Sequence, residues 1–210
     1  KTSLRTPLPW MHFWRSAVGV AALILWFYAI AGLPLATAIT LNYMSSVWMA
    51  LFMIGGAVAF GAARVDSRLV ATILLGFLGV ALVLRPTMAQ DQLGAGLTGL
   101  ASGVIAALAY LQVAALARAG EPELRIVFYF SVGSAAAGLA LASVEGMHRH
   151  TWRGATLLLA TGVLATMAQV LMTRAYAIGR PLVNASLQYL GIVFSALYGV
   201  WLFDEALPWM

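Results

Sequence analysis

The sequence predicts an all-α, polytopic membrane helix bundle, and three observations predict it. Of 210 residues, 62% are hydrophobic and only 9% charged, whereas soluble globular domains are near a quarter charged. Seven mainly apolar stretches fall at about 16–33, 36–60, 69–84, 97–116, 126–144, 155–178 and 182–203. Crossing about 30 Å of hydrocarbon takes roughly 20 helical residues, which most of these stretches approach. They are too long and too unalternating for barrel strands, and backbone groups in lipid must pair within a helix or a closed barrel.

Each span has its punctuation. The first stops at Gly32-Leu33-Pro34 and the second follows at once; the third, which is short, closes at Leu84-Arg85-Pro86. The fourth opens on Gly96, the charged cluster Glu121–Arg125 precedes the fifth, and Trp152-Arg153 precedes the sixth. Gly179-Arg180-Pro181 separates the sixth from the seventh. Gly, Pro and charge are the residues that end or exclude a buried helix. Trp10, Trp14, Trp152 and Trp209 flank spans and read as interfacial anchors.

The net charge of +5 does not point to nucleic acid, because the twelve Lys and Arg stand singly between apolar blocks rather than in a stripe. Nine of them belong to the N-terminal segment, the 61–68 and 117–125 loops and the Arg174–Arg180 region; Arg85, Arg149 and Arg153 lie opposite. The positive-inside rule then puts the residue 1 end in the cytoplasm of a cell inner membrane and the other end outside. There is no Cys, hence no disulfide and no thiolate chemistry. Lys1–Arg15 has neither an initiator Met nor the zones of a signal peptide, so the chain is expected to belong to a longer protein.

Two stretches read alike. The first runs Trp14-Arg15, Tyr28-Ala29-Ile30, Pro34-Leu35, Asn42-Tyr43, Val47, Trp48, Ala50, Leu51; the second runs Trp152-Arg153, Tyr176-Ala177-Ile178, Pro181-Leu182, Gln188-Tyr189, Val193, Phe194, Ala196, Leu197. Because one copy begins inside and the other outside, the repeats are inverted, an arrangement secondary transporters use with the solute site at mid-membrane between them. The pairs Asn42-Tyr43 and Gln188-Tyr189 are therefore expected to approach one another.

The chain resembles EamA-type members of the drug/metabolite transporter superfamily. The resemblance rests on Phe27-Tyr28-Ala29-Ile30 leading through Leu33-Pro34-Leu35-Ala36, on Gly76-Phe77-Leu78-Gly79-Val80 closing with Leu84-Arg85-Pro86, and on Leu202-Phe203-Asp204-Glu205. It departs from the family where Gly61 is followed by Ala62 and where Asp204-Glu205 stands in place of Gly-Glu. The resemblance implies ten spans in two inverted halves, of which this chain holds spans three to nine: residues 1–84 the remainder of the first half and 94–210 the second half without its last span. It also implies export of an amino acid, amine, nucleotide or vitamin-like solute by alternating access. The alternatives are a non-transporting membrane scaffold or an inactive transporter fragment.

No span interior holds His, Asp or Glu, and no phosphate-binding loop or His-Glu-x-x-His site exists, so no enzyme activity, cofactor or metal is expected. Lys1 is the sole Lys, which excludes a retinal Schiff base in a span. Partners are expected to be a small-molecule substrate and the lipid bilayer, with no nucleic acid; a homo-oligomer stays open.

What the spans do hold is neutral and polar. Asn184, Gln188, Gly191, Ser195 and Gly199 share one face of the seventh. Such a face serves close helix packing or lines a solute cavity, and both readings stand. The candidate substrate residues are Asn42, Tyr43, Trp48, Tyr110, Gln169, Gln188 and Tyr189. Trp48 lies deep with one N–H to offer, near Ser45 and Ser46, and either meets an amphipathic solute or packs. The amides of Gln112 and Gln169 need partners in hydrocarbon. Arg174, read as the one basic residue within a span, either snorkels to the headgroups or is a gate contact for a carboxylate or phosphate. Gly99 and Gly103, extended by Gly96 and Ala106, read as a packing face.

Overall fold

The computed structural model describes residues 3–33, 35–61, 67–84, 92–146 and 150–203. Pro34, Ala62, Arg85-Pro86, Arg149, Asp204-Glu205 and Trp209, on which some of the readings above depend, lie outside the described residues. Every regular element among those described is an α-helix: α1 Pro9–Gly32, α2 Leu35–Tyr43, α3 Ser45–Phe60, α4 Ser67–Leu84, α5 Leu93–Arg118, α6 Glu123–Glu145, α7 Trp152–Ile178, α8 Pro181–Leu187 and α9 Leu190–Phe203. Pro9–Gly32, Thr37–Ala57, Leu93–Arg118, Glu123–Glu145 and Trp152–Ile178 are long and apolar enough to cross a membrane. The helices fall on the seven apolar stretches, and the chain is an all-α, multi-pass membrane protein.

Three features differ from the expectation. α1 begins at Pro9 rather than near residue 16. Proline at the first helical position brings a preset φ and has no N–H to leave unpaired, and the Leu8 carbonyl accepts from His12 N at 3.3 Å to close the first turn. His12 and Arg15 consequently lie within this helix, so Arg174 is not the one basic residue inside a span. The second and seventh spans are each interrupted, between α2 and α3 and between α8 and α9.

The chain forms two compact units: unit 1 comprises Lys1–Val20 with Gln112–Gly179, and unit 2 comprises Ala21–Leu111 with Arg180–Met210. They group helices by packing, whereas the sequence halves group them by repeat.

In unit 1, α6 packs against α7. The start of α1 is fastened by a polar cluster around Glu121, in the α5–α6 connection. Thr6 Oγ1 donates to Glu121 Oε1 at 2.6 Å and Arg125 Nη1 to Oε2 at 2.9 Å. His12 Nε2 stands 3.2 Å from Oε2, within ion-pair reach but not aligned as a hydrogen bond. Burial pushes the Glu121 carboxyl up, but the hydrogen bonds and the Arg125 charge outweigh it and hold the group below its ordinary value. Arg125 Nε and Tyr129 Oη also donate to the Ser3 and Leu4 carbonyls, which ties down the segment preceding α1. Nearly every residue of α7 from Trp152 to Ala168 is exposed, including Leu157, Leu158, Leu159 and Leu164. An apolar surface of this extent is what a lipid-facing helix presents.

In unit 2, α2, α3, α4 and α8 pack on one another. Ala29, Leu33 and Ala38 form a buried cluster with Ile30, Leu41 and Ala95. Small residues let helix backbones approach closely, and the Gly99–Gly103 face does so against the last turn of α2. A Cβ on Gly103 would stand 2.7 Å from the Leu41 carbonyl oxygen and 3.2 Å from that of Asn42.

Gly103→Ala is expected to destabilise the protein by about 1–3 kcal/mol, because the opposing atoms are backbone and cannot swing aside. Gly94→Ala, whose added methyl meets nothing within 4 Å, is the neutral control. Thermal unfolding in detergent checks this; equal melting temperatures for the two variants would refute the close α2–α5 contact.

Candidate functional site

The two interruptions lie in unit 2, at matching places of the two repeats. At the first, α2 ends on Tyr43 and the Met44 N–H is shared between the carbonyls of Thr40 at 3.2 Å and Leu41 at 3.3 Å. At the second, Gln188 N bonds Ala185 O, Tyr189 N bonds Ser186 O, and Gly191 N bonds Gln188 O, at 3.3, 3.3 and 2.9 Å. These three-residue steps tighten the helix as a 3₁₀ turn does, a deviation that inside a helix often marks a hinge or a functional position.

The two breaks meet. Tyr43 reaches from the end of α2 to the start of α9, where a Cβ on Gly191 would stand 2.5 Å from its hydroxyl oxygen. Fully buried Ser46 donates its hydroxyl to the Ala185 carbonyl at 2.8 Å, which joins the first turn of α3 to the end of α8. The end of α2, which carries Asn42-Tyr43, and the α8–α9 junction, which carries Gln188-Tyr189, are thereby neighbours.

The individual side chains divide by what they touch. Asn42 Nδ2 donates to Ser102 Oγ at 3.1 Å, a cross-helix bond to α5. Tyr189 Oη donates to the Ile73 carbonyl at 3.3 Å, and its ring lies over Gly76 of α4, whose Cβ would meet it at 3.0 Å. Those two contacts are packing. Trp48 is half-buried, and its Nε1 is shielded with no hydrogen-bond partner among the described residues. Ser45 Oγ is in the same condition and wholly buried. A shielded donor of this kind costs free energy until something pairs with it. Gln188 and Tyr110 are half-buried in the same unit.

Gln169 and Arg174 belong to unit 1. Gln169 Oε1 accepts from Arg15 Nη2 at 3.5 Å, and Arg174 is exposed. Sequence reasoning missed Arg15, which is 3% exposed, with its guanidinium carbon 4.1 Å from the centre of the Phe130 ring. The signal was present in Pro9, which starts the helix early enough to enclose Arg15, and in Gly19 one turn beyond it. Among the described residues no group of His, Asp and Glu is disposed to hold a metal ion.

No protein family model matches the chain. The pseudopaline exporter CntI of Pseudomonas aeruginosa strain UCBPP-PA14 is 32% identical over 194 residues, which make up 92% of this chain and 66% of that protein. The relatives of this chain are transporters. A riboflavin transporter of Rhizobium johnstonii is 30% identical over 177 residues, 83% of this chain and 56% of that one. An uncharacterized transporter of Helicobacter pylori strain J99 is 24% identical over 199 residues, 92% of this chain and 65% of that one. The chain thus spans just under two thirds of the length of the exporter it matches. A solved crystal structure at 21% identity superposes with a TM-score of 0.75 over 97% of this chain and 70% of that one, which shows a shared fold.

The meeting of the two breaks has a direct test. Gly191→Ala is expected to destabilise by about 1–3 kcal/mol through the Tyr43 hydroxyl. Tyr43→Phe in the same background should recover most of the loss, since the next ring atom is 3.4 Å away. A double-mutant cycle by thermal unfolding reads the coupling; strictly additive effects would place the two residues apart.

Proposed function

We propose that this chain serves a secondary transporter that exports a small organic metabolite across the cell inner membrane by alternating access. The observation that carries the proposal is the meeting of two interrupted spans among neutral polar and aromatic side chains. Interrupted helices free backbone groups at mid-membrane, and transporters place solute and ion sites there. On this reading Trp48, Gln188 and Tyr110, with Tyr43, Asn42 and Tyr189 framing them, contact solute in unit 2. Trp48 offers a flat face and an N–H. In unit 1, Gln169 is a separate candidate solute contact, and Arg174 is a candidate contact at the cytoplasmic gate. The relatives named for pseudopaline export and riboflavin transport support a metabolite of that size as the cargo.

Membership of the EamA type, the inverted halves 1–84 and 94–210, and a cytoplasmic residue 1 end form part of the same proposal. The repeat, the basic loops and the quoted motifs support them.

The test uses the whole gene product in proteoliposomes, with pseudopaline and riboflavin as probes. At least one probe is expected to accumulate beyond protein-free vesicles. Gln188→Leu keeps size and helix compatibility, so it should cut the rate sharply at an unchanged amount of folded protein. Folded wild-type protein that moves neither probe would contradict the proposal. A Gln188→Leu variant that loses stability but not transport per folded molecule would make Gln188 a packing residue.

A further inference from the structure

Arg15 lies two turns into α1, in a helix long and apolar enough to span the membrane, and is almost wholly buried. Arginine does not lose its proton in a protein, so this is a permanent positive charge within a span. Such charges are rare and mark solute or ion paths by default.

The seat is built for it. Gly19 follows one helical turn later, and a Cβ there would overlap Arg15 Nη1 and stand 2.8 Å from Phe130 Cε2. The missing side chain is therefore the slot in which the guanidinium lies, with the Phe130 ring as one wall at 4.1 Å. Cation–π contact of this kind holds a guanidinium flat and leaves its edge directed elsewhere. Along that edge Nη2 reaches Gln169 Oε1 of α7 at 3.5 Å. One turn beyond Gln169, on the same face of α7, Thr173 is 1% exposed, and its Oγ1 has no hydrogen-bond partner among the described residues.

We propose that Arg15, seated by Gly19 and Phe130 and flanked by Gln169 and Thr173, is a binding site for the carboxylate group of a transported solute. A planar guanidinium matches a carboxylate with two parallel hydrogen bonds. The Gln169 amide and the Thr173 hydroxyl supply the neutral donors that complete such a site. The inference rests on the transporter reading for the word transported, while binding itself is measurable without transport.

The probes are indole-3-acetate and indole-3-acetamide, which differ in charge at one group and little in shape, added to the whole gene product purified in detergent. The melting temperature is expected to rise saturably with the acetate and much less with the amide. Arg15→Gln should raise the half-saturating acetate concentration about ten-fold or more, the size expected for losing a hydrogen bond to a charged group. Arg15→Lys keeps the charge without the fork, so it should retain the preference for acetate at weaker affinity; it also serves if Arg15→Gln does not fold. Arg153→Gln, at an exposed residue of α7 with no part in the seat, should leave the response unchanged. The proposal is overturned by equal responses of the wild type to the two probes, by no response to either, or by an acetate response that survives in Arg15→Gln. None of these outcomes bears on whether pseudopaline or riboflavin is moved in vesicles, so the two readings fail separately.

Discussion

A polar group in hydrocarbon has no water to fall back on, and the structure is organised by how each one finds a partner. The constraint bears hardest where the helical ladder changes step, at Met44 and at Gln188-Tyr189, and the N–H groups there stay bonded. Unit 2 meets it by setting one break against the other: Ser46 of α3 donates to the Ala185 carbonyl of α8, and Tyr43 leans on Gly191. The same logic explains why the helices around the breaks carry small residues. Gly103 lets α5 lie on the carbonyls of Leu41 and Asn42, and Gly76 lets the Tyr189 ring lie on α4. What is left over in this economy is informative: Trp48 Nε1 and Ser45 Oγ are shielded without a partner among the described residues.

Unit 1 meets the constraint with charge. At its α5–α6 connection one buried carboxylate, Glu121, gathers Thr6, His12 and Arg125 and fastens the start of α1. One turn further along α1 the Arg15 guanidinium is stacked on Phe130 and directed at Gln169. The cluster around Glu121 is internally matched, which is the condition of a structural device. The Arg15 seat is the one we propose as a binding site, with Thr173 Oγ1, one turn beyond Gln169 on α7, shielded without a partner among the described residues.

Much of the fold was readable because span hydropathy adds up over some twenty residues and survives any local error. The repeat directed attention to the stretches around Asn42-Tyr43 and Gln188-Tyr189, whose helices are joined by the Ser46–Ala185 bond. The breaks themselves were not readable: Asn42-Tyr43-Met44 and Gln188-Tyr189 contain neither Gly nor Pro, and it is tertiary contact rather than local propensity that stabilises the interruption. The bonds that Asn42 and Tyr189 make to Ser102 and the Ile73 carbonyl were not readable, because a single sequence does not reveal cross-helix partners. Arg15 escaped notice because a charge beside an apolar run is ordinarily taken as its boundary. Only the helix start at Pro9 and the vacancy at Gly19 show that the span encloses it.

The central claim is that the meeting point of the two broken spans is open to solute rather than sealed as helix packing. This chain has no Cys, so single cysteines at positions 188 and 187 in the whole gene product give a clean comparison, Leu187 being exposed on the face of α8. The account predicts that a small hydrophilic methanethiosulfonate modifies the cysteine replacing Gln188, that the transported probe slows this reaction, and that the cysteine replacing Leu187 shows no such protection. A cysteine at 188 that stays unreactive in folded, transport-competent protein, or reacts at a rate the probe does not alter, would contradict it.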